Sequence, residues 1–326
     1  MNSRLKKLLE GLAFFIVIAI IPYYWVGRNL LPLDALGRTK APGAFAEIDD
    51  GLIHYKWSGP ETGQIIVFIH GFSTPSFVFE QNASVLAENG FRVLQYDHFG
   101  RGWSDRPDVK YDADFYDREL VQLIEHLNIE QKIGLVGYSM GGIIAANFTM
   151  RHPERVSRLC LLAPTGLEVN GDKSFAKHLL NTPFLGDWIW TIFGRSILIN
   201  DTQYDETGLD KEARLQGDIS VQMDYAGYFP ALLSTLRHLE MSDQDGLFSK
   251  LAVTAVPVMA LYGPEDVTVP SKNAKKLKSL IPTAQISVLN SGDHGFPYKR
   301  YNQVNPVLTD FFEREELKKY GLKPPH

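Results

Sequence analysis

The sequence predicts an α/β fold, a mostly parallel sheet flanked by helices and interrupted by a helical cap. Three observations carry this reading. The hydrophobic period switches repeatedly between about 2 and about 3.6 residues from Leu52 to Leu162. Ile65-Ile66-Val67-Phe68-Ile69 is an unbroken β-branched and aromatic run, as a strand covered on both faces requires. The alternation stops after Ala163-Pro164 and resumes at Val256.

In chain order, Leu52–Trp57 reads as a strand ending at Gly59-Pro60, and Ile65–Ile69 as the next. Phe77–Glu88 is a helix stopped by Asn89-Gly90, a C-cap signal. Phe91–Tyr96 is a strand, Phe115–Leu127 an amphipathic helix, and Lys132–Val136 a strand. Met140–Arg151 is a helix and Val156–Leu162 a strand. From about residue 166 to 245 the pattern is helical and aromatic-rich, an insertion into the core. Val256–Leu261 and Gln285–Leu289 are then strands, Ser271–Leu280 a helix between them, and Asn302–Leu317 a closing helix.

The chain has 326 residues, 44% apolar and 22% charged, enough for a full-sized core. The single cysteine, Cys160, excludes an internal disulfide framework and any multi-cysteine metal site. A net charge of −5 gives no basic field for nucleic acid.

Gly11–Gly27 carries no charge and follows Arg4, Lys6 and Lys7. As a helix it spans about 26 Å, close to a hydrocarbon core of about 30 Å. Tyr23, Tyr24 and Trp25 suit the headgroup level. The expectation is an uncleaved N-terminal membrane anchor over residues 1–27, with the body on the non-cytoplasmic side. A signal peptide would want small residues beyond the span, where Tyr-Tyr-Trp-Val stands instead. A buried core helix is the other alternative. Residues 28–44, with Pro32, Gly37, Pro42 and Gly43, read as a linker, and 45–326 as the folded body.

Gly137-Tyr138-Ser139-Met140-Gly141 lies between a strand and a helix, the context of a nucleophile elbow. The turn exposes the Ser139 hydroxyl, and flanking glycines let backbone approach it. A serine needs a base, and the base needs an acid to hold its tautomer. Asp266 follows one strand in Gly-Pro-Glu-Asp, and His294 follows the next in Ser-Gly-Asp-His-Gly. Ligand sites in parallel sheets form at these carboxyl ends. Glu265 is the near rival for the acid. The oxyanion donors expected are the backbone N–H of Met140 and that of Phe72, in the loop His70-Gly71-Phe72. His70 is read as packing that supports this loop. Gly100-Arg101-Gly102 follows a strand but lacks the third glycine and helix of a dinucleotide site. No motif for a metal or phosphate cofactor occurs, so none is expected.

With these residues in place, the chain resembles the α/β-hydrolase superfamily. The segment Asp97–Ser104 has the D-x-x-G-x-G-x-S form common there. The elbow Ser-Met-Gly and the N-terminal apolar segment are similar to membrane-anchored monoacylglycerol lipases and related esterases. The resemblance implies hydrolysis of carboxylic esters by Ser139, His294 and Asp266. Ser139 argues against epoxide hydrolases and haloalkane dehalogenases, which place aspartate at the elbow. The aromatic-rich cap, with Phe184, Trp188, Trp190, Phe193, Tyr225, Tyr228 and Phe229, points to a hydrophobic or lipid-like ester. Carbon–carbon bond hydrolysis, acyl transfer, or ligand binding by a receptor that keeps the fold stand as alternatives.

Overall fold

A computed structural model describes residues 3–168, 174–199 and 219–319. Eight strands form one sheet: β1 (Ala44–Ile48), β2 (Gly51–Ser58), β3 (Ile65–Ile69), β4 (Arg92–Tyr96), β5 (Ile133–Tyr138), β6 (Val156–Leu162), β7 (Val258–Tyr262) and β8 (Gln285–Val288). Their spatial order is β1-β2-β4-β3-β5-β6-β7-β8. β1, β2 and β4 pair antiparallel, and every pairing from β4–β3 to β7–β8 is parallel.

The central strands β3, β5 and β7 are buried along their whole length. Helices on both faces exclude water there, so side chains on either side of the pleat must be apolar. The flanking helix Ala113–His126 turns Phe115, Tyr116, Leu120, Leu123 and Ile124 inward. Asp112 caps it, accepting from the Phe115 N–H at 3.0 Å. Such a cap contributes about 1 kcal/mol.

Parallel registry aligns the strand ends. Ile69 pairs with Gly137, Tyr138 with Leu162, Leu162 with Leu261, and Tyr262 with Val288. The loops that follow β3, β5, β7 and β8 therefore emerge on one edge of the sheet. Between β6 and β7 lie the cap helices Ser174–Asn181, Leu185–Ile199, Tyr228–His238 and Asp245–Leu251. Their buried side chains join the main hydrophobic core. Trp190 and Phe229 are buried there, with Trp190 Nε1 donating to the Phe229 carbonyl at 2.9 Å. Arg237 joins two cap helices through Asp187 at 3.0 Å. Residues 169–173 and 200–218 of the expected cap lie outside the described residues.

The N-terminal expectation is corrected. Ser3–Arg28 is a helix, yet among the described residues no helix is long and apolar enough to cross a membrane. The physical reason lies in its ends. Arg4, Lys6, Lys7 and Glu10 open it, and Pro22, Tyr23, Tyr24 and Trp25 close it. The unbroken apolar stretch runs only from Leu12 to Ile21. As a helix, that stretch covers about 15 Å of a hydrocarbon core about 30 Å thick. The helix instead meets the cap: Trp188 Nε1 donates to the Ala19 carbonyl at 2.7 Å. The transmembrane anchor and the membrane location assigned to it are both withdrawn on this finding.

Downstream, Leu31 exchanges backbone hydrogen bonds with Asp224 and Ala226 of the cap segment, both 2.8 Å. Asp34 caps the short helix Ala35–Arg38, accepting from the Gly37 N–H at 2.8 Å. Arg38 pairs with Asp105. The stretch read as a linker is thus tied to both the cap and the sheet.

Candidate active site

Ser139 follows β5 directly and stands at the N-terminus of the helix Met140–Arg151 with φ 53° and ψ −118°. That positive φ costs a non-glycine residue about 1–3 kcal/mol, and the surroundings hold it. Its N–H donates to the Leu162 carbonyl at 2.9 Å, and its carbonyl accepts from Gly142 N–H at 2.9 Å and Thr165 N–H at 3.1 Å. The glycines are required by space. A Cβ on Gly137 would lie 2.4 Å from the Gly141 carbonyl oxygen, and one on Gly141 would lie 2.1 Å from that of Ile69. The elbow is therefore pressed against the end of β3.

The structure brings the three expected side chains together. His294 Nε2 lies 2.9 Å from Ser139 Oγ, and His294 Nδ1 lies 2.7 Å from Asp266 Oδ2. All three residues are buried. The other Asp266 oxygen accepts from the N–H groups of Thr268 at 2.9 Å and Val269 at 2.8 Å. Two backbone N–H groups and the His294 ring thus fix the orientation of the Asp266 carboxylate. Glu265, the sequence rival, is engaged elsewhere: its carboxylate accepts from the Gly292 N–H. Asp293 likewise turns away, pairing with Lys299 at 2.8 Å.

Chemically, this arrangement can move a proton from Ser139 Oγ to His294 Nε2 while Asp266 holds the other ring nitrogen. The loop after β3 abuts it: a Cβ on Gly71 would meet Ser139 Cβ at 3.4 Å. Met140 is the first residue of the helix after Ser139 and is buried.

His70 bears on this loop through its ring. Nε2 accepts from the His98 N–H at 2.9 Å, so Nδ1 carries the proton and donates to the Gly71 carbonyl at 2.8 Å. Burial, reinforced by neighbouring His98, holds the His70 pKa well below the ordinary histidine range, which keeps this neutral tautomer. Gly71 C=O and Phe72 N–H belong to one trans peptide and point in opposite directions. Fixing one aims the other.

Two residues escape the sequence reading. Tyr138 donates its hydroxyl to the His294 carbonyl at 2.7 Å. Arg101, part of the rejected nucleotide motif, is fully buried beside the β3 loop. A tyrosine at the variable elbow position and an arginine between glycines give no signal of these contacts.

Among the described residues no group of three or more His, Cys, Asp or Glu side chains is arranged to hold a metal ion.

Residues 64–299 match the family described as alpha/beta hydrolase fold. The chain belongs to the α/β-hydrolase family. Its similarity to curated relatives is broad but distant. It is 27% identical over 254 residues to the AB hydrolase superfamily protein YisY of Bacillus subtilis, covering 76% of this chain and 91% of that one. It is 24% identical over 279 residues to the 2-hydroxy-6-oxo-6-phenylhexa-2,4-dienoate hydrolase of Comamonas testosteroni, covering 82% and 93%. Among solved structures, an esterase from Exiguobacterium antarcticum superposes with a TM-score of 0.68 at 22% identity, covering 83% of this chain and 99% of that one. This α/β-hydrolase fold is thus shared with enzymes of several activities, esterases among them.

Proposed function

We propose that this α/β-hydrolase cleaves carboxylic esters with hydrophobic acyl groups through a Ser139–His294–Asp266 triad. The observation that carries the reading is the 2.9 Å contact of His294 Nε2 with Ser139 Oγ, with Asp266 behind the ring. Ser139 Oγ attacks the ester carbonyl as His294 Nε2 takes its proton. The carbonyl oxygen becomes an oxyanion and receives the N–H groups of Phe72 and Met140. His294 then returns the proton to the leaving alkoxide, giving an alcohol and an acyl-Ser139. A water, deprotonated by His294, attacks that acyl group, and the acid leaves as Ser139 regains its proton.

The preference for an apolar acyl group rests on the cap. Its helices carry Trp188, Trp190, Phe193 and Phe229. Large apolar side chains line pockets for apolar ligands. Trp190 and Phe229 also serve the cap's own packing, so the acyl preference is the part to measure. In a series of p-nitrophenyl esters, kcat/KM rises from acetate to medium or long chains on this reading. A maximum at acetate with steady decline would contradict the hydrophobic substrate class. Absence of turnover on every ester would contradict the reaction itself.

A further inference from the structure

We infer that Arg101 is the positioning residue that holds Phe72 in its oxyanion-hole geometry and couples that geometry to the seating of the cap. The inference rests on the ester-hydrolase reading above. It starts from an uncommon placement: an arginine with no exposed surface. A guanidinium carries five donors, and burying it is costly unless they are used.

The arms of this fork reach the loop after β3, Arg101's own loop and the cap. Nε donates to the Phe72 carbonyl at 3.0 Å, in the loop after β3. One terminal nitrogen donates to the Phe99 carbonyl at 3.2 Å. The other donates to Thr235 Oγ1 at 2.8 Å, on the cap helix Tyr228–His238. Thr235 is itself buried and locked. Its hydroxyl donates to the Ala231 carbonyl at 2.9 Å, so it accepts from both Arg101 and the Tyr116 hydroxyl, the latter at 2.8 Å. The guanidinium carbon sits 5.8 Å from the Phe72 ring centre. It lies 5.7 Å from that of Tyr111 and 5.9 Å from that of Tyr116. All three rings are within cation–π range.

The consequence falls on one amide. The peptide unit before the Phe72 Cα is held by His70 through the Gly71 carbonyl. The unit after it is held by Arg101 through the Phe72 carbonyl. With both planes fixed, neither backbone torsion of Phe72 is free, and its N–H keeps one direction. The next carbonyl, Ser73, is held by side chains from the cap segment: Gln222 Nε2 at 2.9 Å and the Tyr228 hydroxyl at 3.1 Å. Gln222 also accepts from the Gly102 N–H at 2.9 Å, so the Arg101 loop and the cap share that contact. Donors already aimed at the developing charge lower the barrier without reorganisation. A lysine would keep the charge but present it as one compact ammonium in place of a planar fork.

The test compares wild type with Arg101→Lys and Thr235→Val on one short p-nitrophenyl ester. It also measures inhibition by a trifluoromethyl ketone, whose hemiketal oxyanion occupies the hole. Arg101→Lys is expected to lower kcat about 10- to 100-fold with KM nearly unchanged, and ketone affinity to fall in parallel. Thr235→Val, which leaves Arg101 in place but frees one arm, gives a smaller loss with the same split. Folded variants with unchanged kcat and ketone affinity would overturn the inference, as would a loss confined to KM. Backbone hydrogen exchange provides a readout independent of turnover: residues 70–76 and 228–238 exchange faster together in Arg101→Lys. If wild type hydrolyses no ester, the hydrolase reading fails. Unchanged exchange in those two segments would then separately reject the positioning role.

Discussion

The hydroxyl of Tyr138 donates to the backbone carbonyl of His294 at 2.7 Å, joining the residue before the proposed nucleophile to the residue proposed as its base. The two rings also lie 5.2 Å apart. The separation of Ser139 and His294 is thereby set by a bond between the segments that carry them, not by the Ser–His contact alone. Tyr138→Phe removes the hydroxyl and keeps the packing. It is expected to cost about 1 kcal/mol of stability, and about 3- to 30-fold in kcat because small misplacements are costly at a reacting centre. Denaturant unfolding and steady-state kinetics measure the two effects.

Ser139→Ala, His294→Ala and Asp266→Asn are each expected to reduce kcat by several orders of magnitude, and double variants little further, because the three act as one unit. Glu265→Gln retains most of the activity, since its carboxylate holds the Gly292 N–H in this structure. A dead Glu265→Gln beside a working Asp266→Asn would move the acid to the neighbouring position.

A second buried pair, away from the triad, sets a pH dependence of stability. His54 Nδ1 lies 2.8 Å from Asp97 Oδ2, and Nε2 meets the Pro42 carbonyl. Burial opposes the imidazolium, but the Asp97 charge and these acceptors outweigh it, and the His54 pKa is raised. Asp97 is lowered below the usual carboxylate range. Burial opposes its charge too, and His54, with the hydrogen bonds, overcomes that. Its other oxygen accepts from Ser76 N–H at 2.9 Å and Ser76 Oγ at 2.6 Å. The raised histidine stabilises fully below its unfolded value of about 6.5, and that contribution fades as pH climbs through the higher folded value. The lowered aspartate stabilises above its unfolded value of about 3.9, and its contribution fades as pH falls. The pair's contribution is therefore greatest between about pH 4 and about pH 6.5. His54→Gln should cost about 3 kcal/mol in that window and flatten the decline at alkaline pH. Urea midpoints for both proteins, from mildly acid to alkaline pH, check this.

Cys160 is buried within β6, and burial alone pushes its thiol pKa far up. Iodoacetamide should leave it unmodified in the native protein and alkylate it rapidly in urea. The reagent thereby reports global opening. Rapid labelling under native conditions would mean that β6 opens on its own.

Much of this architecture is legible in the sequence because the relevant patterns are local. Ile65–Ile69 and Val156–Leu162 are strands at the bounds the sequence predicts, each a short apolar-rich segment set between loops. The elbow is legible because its glycines fall together in one short strand–helix turn, where a Cβ on Gly137 would meet the Gly141 carbonyl. β1 gives no such signal: Ala44–Ile48 is short, and its pairing with β2 across Asp49-Asp50 is what makes it a strand. Asp266 and Glu265 are adjacent, and their partners, His294 for one and the Gly292 N–H for the other, are distant in sequence. The N-terminal helix touches the cap yet leaves Phe14, Ile16, Val17, Ile20 and Ile21 exposed, an arrangement the apolar pattern does not announce. The contact of Trp188 with Ala19 is a tertiary fact. Arg101 sits between two glycines in a loop that gives no signal of its role, and two of its three acceptors, on Phe72 and Thr235, are distant in sequence and reached only through the fold.

The central claim, that Ser139 is acylated during turnover, is tested most directly by trapping. The protein is quenched in acid within the burst phase of a p-nitrophenyl ester, digested, and its peptides weighed. The peptide containing Ser139 should gain the mass of the acyl group, His294→Ala should abolish the adduct, and p-nitrophenol should be released in a burst matching enzyme concentration. Turnover of the ester with an acyl adduct on another residue, or with the Ser139→Ala protein hydrolysing at the wild-type rate, would contradict it.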